Sequence, residues 1–237
     1  MNRAISVVTP YFDPTGKDFW MLKELVSSVA QQTIAPVELV ISSVHPVANY
    51  LELDGLSQDK FSIRVIKSVA RNAPENINFA VSAATGAVVK LLFHDDLLAN
   101  SMSLEKTLEH LEVSGREWAV AGSLNFSADL SRTFTPNIPR FSRWMAFGGN
   151  TLGAPSAVTF YRESYRPIDP DLAFLYDCEW YLSMRKANGE PALMKDVEVL
   201  VRIHEGQATN TVKNLRWVES RTVFGKHPSS IWKRTQR

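Results

Sequence analysis

Apolar and polar positions in the first half of the chain follow two alternating rhythms. Residues 4–9 form a short apolar run that Pro10 ends, as a buried strand does. Asp18 then stands where a helix N-cap belongs. Leu22, Leu25, Val26 and Val29 follow at the i, i+3, i+4, i+7 spacing of one helix face. Pro36 punctuates, residues 37–41 read as a second strand, and residues 61–66 as a third. Pro74 and Glu75 fit the first turn of a helix running to about residue 84. Gly86 stops it, and residues 87–93 are apolar apart from Lys90. A helix opening at Ser101 or Ser103 and lasting to about residue 113 leads into a strand over 118–124.

This alternation predicts an α/β fold, with a mainly parallel central sheet and helices on both faces. The second half is less regular. Residues 125–150 are rich in Pro, Ser, Arg and aromatics and show little periodicity, as a long functional loop does. Residues 155–161 read as a strand, 177–187 as a helix with Gly189 at its end, 197–203 as a strand and 209–221 as a helix. No linker interrupts the chain, so the expectation is a single domain over 1–237. Residues 1–124 would form one half, and residues 125–237 a second half with a C-terminal tail.

Of the 237 residues, 45% are hydrophobic and 22% charged, which allows a packed core. The formal net charge of +1 gives no field that would steer the chain toward nucleic acid. Basic residues do gather near the end, in Lys226, His227, Lys233, Arg234 and Arg237. These read as a solvated tail or as a contact for a membrane or polyanion. The single cysteine, Cys178, excludes a disulfide within the chain and fits a reducing compartment. The N-terminal apolar run is too short for a signal peptide, and no stretch has the roughly 20 apolar residues of a membrane helix. The expectation is a cytoplasmic protein, with a peripheral stay at the inner face of a membrane left open.

The sharpest chemical feature is Phe93-His94-Asp95-Asp96, at the end of the strand over 87–93. Ligands of open α/β sheets sit beyond the carboxyl ends of strands. Two adjacent carboxylates there make a hard oxygen site for Mg2+ or Mn2+ carrying a diphosphate. The alternative is an acidic cluster that complements the N-terminus of the next helix. Both stand on these four residues alone.

Four stretches together resemble the family 2 glycosyltransferases of the GT-A fold, a Rossmann-like α/β architecture. They are Ile5-Ser6-Val7-Val8-Thr9-Pro10-Tyr11-Phe12-Asp13, the run from Leu25 to Ile41, the spacing of Asn78, Ala80, Ala84 and Gly86, and the Asp95-Asp96 pair. The resemblance implies transfer of a sugar from a nucleoside-diphosphate sugar to the hydroxyl of a glycan, lipid-linked or other acceptor, in glycan or surface polysaccharide synthesis, with inversion and with Mg2+ or Mn2+. It makes Asp95, Asp96 and His204 the expected metal ligands. It implies donor contacts from Thr9, Pro10, Tyr11, Asp13, Ser43, Arg71, Asn78, His94, Asp95 and Arg202, with Tyr11 stacking on the base and Arg202 gripping phosphate. In Asp177-Cys178-Glu179-Trp180 it makes Asp177 the expected base and Glu179 its understudy. A helix N-cap is the plain alternative for Asp177. Gly148-Gly149-Asn150 resembles a flexible acceptor-side loop, and Trp144 and Trp180 are candidate sugar-stacking residues.

The sequence departs from that pattern in three places. Ser42-Ser43 stands where relatives usually end the second strand in Asp, Ile77 precedes Asn78 in place of Arg, and Phe93 takes the first acidic position of the metal motif. A non-catalytic sugar- or nucleotide-binding module on the same fold is therefore the alternative. A dinucleotide oxidoreductase or nucleotidyltransferase is disfavoured, because no Gly-rich phosphate loop follows the first strand.

Overall fold

A computed structural model of the chain describes residues 4–47, 50–57, 60–129, 131–142, 144–207 and 212–228. Strands β1 (Ile5–Tyr11), β2 (Glu38–Ser43), β3 (Ser62–Lys67) and β4 (Val88–Leu91) come first, with α1 (Phe19–Ala30), α2 (Tyr50–Leu56) and α3 (Ala73–Ser82) between them. A two-residue β5 (Leu97–Leu98), α4 (Ser103–Ser114) and β6 (Trp118–Ser127) follow. The second half supplies β7 (Val158–Tyr161), α5 (Tyr176–Asn188), β8 (Ala192–Ile203) and α6 (Arg216–Lys226).

All of these strands join one eight-stranded sheet in the order β3-β2-β1-β4-β7-β6-β8-β5. β7 pairs antiparallel with β4 and β6, and β5 antiparallel with β8, while the other pairings are parallel. This is the mostly parallel α/β arrangement expected from the sequence, consistent with a Rossmann-like GT-A fold. One core cluster, with Val8, Val89, Phe160 and Trp180, packs on one face. A second, with Val7, Leu22, Leu104 and Val199, packs on the other. Burial on both faces explains why β1, β2 and β4 read as continuous apolar runs.

Several boundaries differ from the sequence reading. α2 and β5 are short and carry no strong period. β6 runs on to Ser127, and bridges Ser123↔Asn137 and Phe126↔Thr133 tie the following irregular segment back to it. Residues 155–157 form a 3-10 turn before β7, because Pro155 cannot donate to a ladder. β8 starts at Ala192, with a register shift near Gly122 that its sequence pattern conceals. Asp18 occupies the N-cap position of α1 without a side-chain cap bond. The last helix starts at Arg216 after a short turn at 213–215. The expected helix start at Thr209 and the basic residues Lys233, Arg234 and Arg237 lie outside the described residues.

The first strands of the sheet are fastened by one buried carboxylate. Glu38 Oε1 accepts from Ser6 Oγ at 2.7 Å, from the Thr85 amide at 2.6 Å and from Thr85 Oγ1 at 2.7 Å. Its Oε2 accepts from Arg64 Nη1 at 2.5 Å. β1, β2, β3 and the turn before β4 thus meet at one side chain. Gly86 completes the joint, since a Cβ there would stand 2.7 Å from the Ser6 amide nitrogen. Burial alone would raise the Glu38 carboxyl, but these donors outweigh it and hold it below its ordinary range. A depressed carboxyl stabilises the fold above its unfolded-state value and loses that contribution as pH falls through its folded value. Glu38→Gln should therefore cost about 2–4 kcal/mol at neutral pH. In urea titrations across pH, the gap between wild type and variant should narrow below the ordinary glutamate value of 4.5. A gap that stays constant into acid would show that the charge of Glu38 is not what holds the strands.

Candidate active site

The residues after β4 turn sharply at the carboxyl end of the sheet. The Asp96 amide donates to Phe93 O at 2.9 Å, closing the turn. Ser156 Oγ, from the turn before β7, accepts from the Phe93 amide at 2.9 Å and donates to Asp96 Oδ2 at 2.5 Å. Asp96 Oδ1 accepts from the Arg202 amide at 3.1 Å. Asp96 is therefore buried and bonded on both oxygens. Burial, reinforced by the adjacent Asp95 charge, lifts its carboxyl well above the usual range. Asp95 has a different environment. Its Oδ2 lies 3.0 Å from His204 Nε2, and the two side chains keep 15% and 12% of their surface exposed. Burial would raise Asp95 too, but the His204 bond and the His94 charge prevail and hold it low.

Arg202 does not face outward. Its guanidinium is fully buried, donating to Asp95 O at 3.0 Å, Ala128 O at 3.1 Å and Glu24 Oε2 at 2.5 Å. Trp20 and Phe126 lie over it, each 4.7 Å from their ring centres. The expected phosphate grip is thus replaced by an internal tie. A permanently charged group buried this deeply needs acceptors around it, and protein supplies them here.

The end of β1 also differs from expectation. The Tyr11 ring is buried and meets His94 edge-on at 5.2 Å, so it offers no free stacking face. Its hydroxyl donates to Asp13 Oδ2 at 2.9 Å. Asp13 also accepts from Asp18 N, Thr15 N and Thr15 Oγ1, which makes it the organiser of this turn. The exposed ring is Phe12, at 61%, edge-on to His45 at 5.4 Å. Thr9 is buried beneath, and Pro10 is partly exposed. Ser43 Oγ donates to His45 O at 2.7 Å, and Ser42 Oγ donates to Asn76 Oδ1 at 2.6 Å. Asn76 Nδ2 in turn reaches Tyr11 O and Ser42 O. The position where relatives carry Asp is thus a hydroxyl spent on joining β2 to α3.

Two further expected donor contacts are engaged elsewhere. Asn78 accepts from the Ile168 amide and the Tyr165 hydroxyl and donates to Ile168 O, fastening residues 165–168 to α3. Arg71 is exposed and paired with Glu75 four residues on.

On the acceptor side, Asp177 is the second residue of α5, whose N-cap is Leu175, so it does not cap the helix. Its Oδ1 accepts from the Cys178 amide at 2.6 Å, and its Oδ2 from Asn150 Nδ2 at 2.7 Å. Asn150 Oδ1 takes the Leu152 and Gly153 amides, so one side chain folds the Gly148-Gly149-Asn150 loop against this carboxylate. Burial lifts the Asp177 carboxyl above its ordinary value, against the pull of the Cys178 and Asn150 bonds. Burial, then the fields of Asp177, Asp95 and Asp96, all oppose ionisation of the Tyr176 hydroxyl. Glu179 points elsewhere: its Oε1 meets Ser183 Oγ at 2.8 Å and His227 Nε2 at 2.9 Å. With Arg166, Lys186 and Lys226 it lines an open cavity of about 640 Å³. Residues i and i+2 diverge by about 200° on a helix, which separates it from Asp177.

Trp180 is wholly buried, with its indole donating to Arg166 O, so it packs rather than stacks on sugar. Trp144 is 52% exposed and begins an aromatic strip through Phe147 and Phe224, with Trp217 nearby at 72% exposure. Asn150, Ser156, Tyr176, Phe12 and, apart from Trp144, this strip are the site-side residues that sequence reasoning did not single out for a role. Among the described residues, no three His, Cys, Asp or Glu side chains converge as a metal cluster. Of the three expected metal ligands, Asp95 and His204 are in contact and partly exposed, while Asp96 is buried and bonded on both oxygens.

No family model matches the sequence, and no curated protein does. Solved structures of S. aureus TarS do match the fold. Against TarS residues 1–349 in complex with UDP-GlcNAc, the TM-score is 0.69 at 13% identity, over 96% of this chain and 72% of that one. Against the same fragment in complex with UDP, it is 0.65 at 13%, over 91% of this chain and 65% of that one. Against the TarS structure not limited to that fragment, it is 0.62 at 12% identity, and this chain spans only 44% of its length. At these identities the likeness is one of architecture, and what this chain shares with TarS is its fold.

Proposed function

We propose that this chain is a glycosyltransferase that moves a sugar from a nucleoside-diphosphate sugar to an acceptor hydroxyl. The observation that carries the reading is the pairing of Asp95 with His204 just beyond the carboxyl end of β4, with the Asp177 carboxylate held by Asn150 in the second half of the chain. Its support outside this chain is that TarS, on the same fold, was solved with UDP and with UDP-GlcNAc.

In this mechanism the donor diphosphate lies over the 93–96 turn, with Phe12 and His45 beside its base. Asp177 takes the proton of the acceptor hydroxyl as that oxygen bonds to the anomeric carbon. The bond from carbon to the diphosphate oxygen breaks, its electron pair leaves with the diphosphate, and the anomeric centre inverts. Mg2+ or Mn2+ held by Asp95 and His204 would supply positive charge to the leaving group. Asn150 fixes the Asp177 carboxylate, and the Trp144–Phe147 strip offers flat apolar faces to an acceptor glycan. The raised carboxyl of Asp177 suits a base, because a stronger base accepts a hydroxyl proton more readily.

The second reading is a binding module that keeps the fold without transfer. The engaged Ser42 and the bonded Asp96 favour it.

A thermal-shift panel of nucleoside diphosphates and their sugars, with and without Mn2+, should find a donor. At ligand concentrations about 100-fold above Kd the melting point should rise by several degrees. Asp95→Ala should remove the Mn2+-dependent part of that rise while leaving the unliganded melting point near that of wild type. Asp177→Asn should keep donor binding while transfer falls roughly 10²–10⁴-fold. The acid limb of wild-type activity should lie above the 3.8 of an ordinary aspartate. A chain that binds donor and never releases free nucleotide, with any acceptor, is the binding module. Transfer that survives Asp177→Asn places the base elsewhere.

A further inference from the structure

The sheet face carrying the second core cluster buries three polar atoms with no hydrogen-bond partner among the described residues: Thr9 Oγ1, Lys90 Nζ and Thr159 Oγ1. The three residues are essentially inaccessible, at 0%, 1% and 0%. They are also neighbours. Lys90 on β4 is the register partner of Thr159 on β7 and of Val7 on β1. Thr9 follows Val7 by two positions, so it shares that face. Lys90 is therefore flanked on this face by threonines from the strands on either side of it.

Neither of the carboxylates whose fields reach Lys90 bonds its amine directly. The carboxylates of Glu198 and Asp96 are near enough for their fields to reach the amine. Glu198 already takes Asn100 Nδ2 at 3.0 Å and Lys106 Nζ at 3.3 Å. Asp96 takes Ser156 and the Arg202 amide. The core cluster on this face is otherwise apolar, with Val7, Leu92 and Leu98 among its residues. An amine supplies donors, and each hydroxyl both donates and accepts. Buried polar groups that lack a protein partner are satisfied by internal water, which makes about three such bonds.

We propose that Thr9, Lys90 and Thr159 form an internal hydration site, in which ordered water bridges the lysine amine to the two hydroxyls beneath the 93–96 turn. Water suits both states of this amine, since it accepts from an ammonium and donates to a neutral nitrogen. Burial, partly offset by Glu198 and Asp96, lowers the amine to about 7, so both states are populated near neutral pH. The site also keeps Lys90 from competing with Ser156 and Arg202 for Asp96. It is independent of whether the chain transfers sugar.

The test is a crystal structure together with Thr159→Val, an isosteric change outside the proposed donor and acceptor sites. The expected density is a water about 2.7–3.2 Å from Lys90 Nζ that also contacts Thr159 Oγ1. The expected melting-point shift for Thr159→Val is a fall of about 2–4 °C, because the water loses a partner. Lys90 Nζ bonded directly to Glu198 or Asp96, or a dry space where nearby internal waters are visible, would overturn the proposal. So would a rise in melting point, since replacing a truly unsatisfied hydroxyl with a methyl is stabilising.

Discussion

The placement of the candidate site depends on one buried guanidinium. Arg202 cannot shed its charge, so folding must surround it with acceptors or leave it in water. Those acceptors come from distant parts of the chain: Glu24 on α1, Asp95 in the turn after β4, and Ala128 just beyond β6. Its own amide holds Asp96. The last strand of the sheet is thereby pinned to the acidic turn, and His204, two residues further on, is brought to Asp95. A phosphate-facing arginine would have left the 93–96 turn without this support. The residue that appeared to serve the ligand instead holds the groups that would bind it.

The sheet order explains why the two halves converge. β1, β2 and β3 run parallel beside β4, and the carboxyl ends of these strands gather Thr9, Ser43 and the acidic turn on one rim. β7 then enters antiparallel next to β4, which places the turn before it, with Ser156, at that same rim. α5 delivers Asp177 from the chain that follows. Glu38 and Gly86 allow β1 and β4 to approach closely enough for this rim to close. The site is thus a product of long-range pairing, and no single segment contains it.

That origin accounts for what the sequence revealed. Periodicity exposed the strands and helices of the first half because both sheet faces are buried. The acidic turn was legible because the apolar run that contains β4 visibly ends at Phe93. The fate of individual polar side chains was not legible, since each depends on a partner far away in sequence. Arg202 looks like a phosphate ligand until Glu24 and Trp20 are in place. Asn78 looks like a donor contact until Ile168 arrives beside it, 90 residues later. Tyr11 turns inward because Asp13 takes its hydroxyl. Asn150 carried no signal beyond its glycine neighbours, because its role exists only once α5 lies against that loop.

The acidic pair itself shows how environment divides two identical groups. Adjacent carboxylates repel, and without a cation both cannot be comfortably ionised. Here the conflict is resolved by position. Asp96 points inward, where burial favours its neutral form and where Ser156 and the Arg202 amide occupy its oxygens. Asp95 points to the surface, where His204 and His94 favour its charged form. One group becomes scaffold and the other remains an anion at the rim. A motif of two aspartates thus presents one charge. Under the proposed function, that charge and the imidazole would supply too few ligands for a divalent cation by themselves, so the strength of cation binding would follow the donor, whose diphosphate oxygens would add to them.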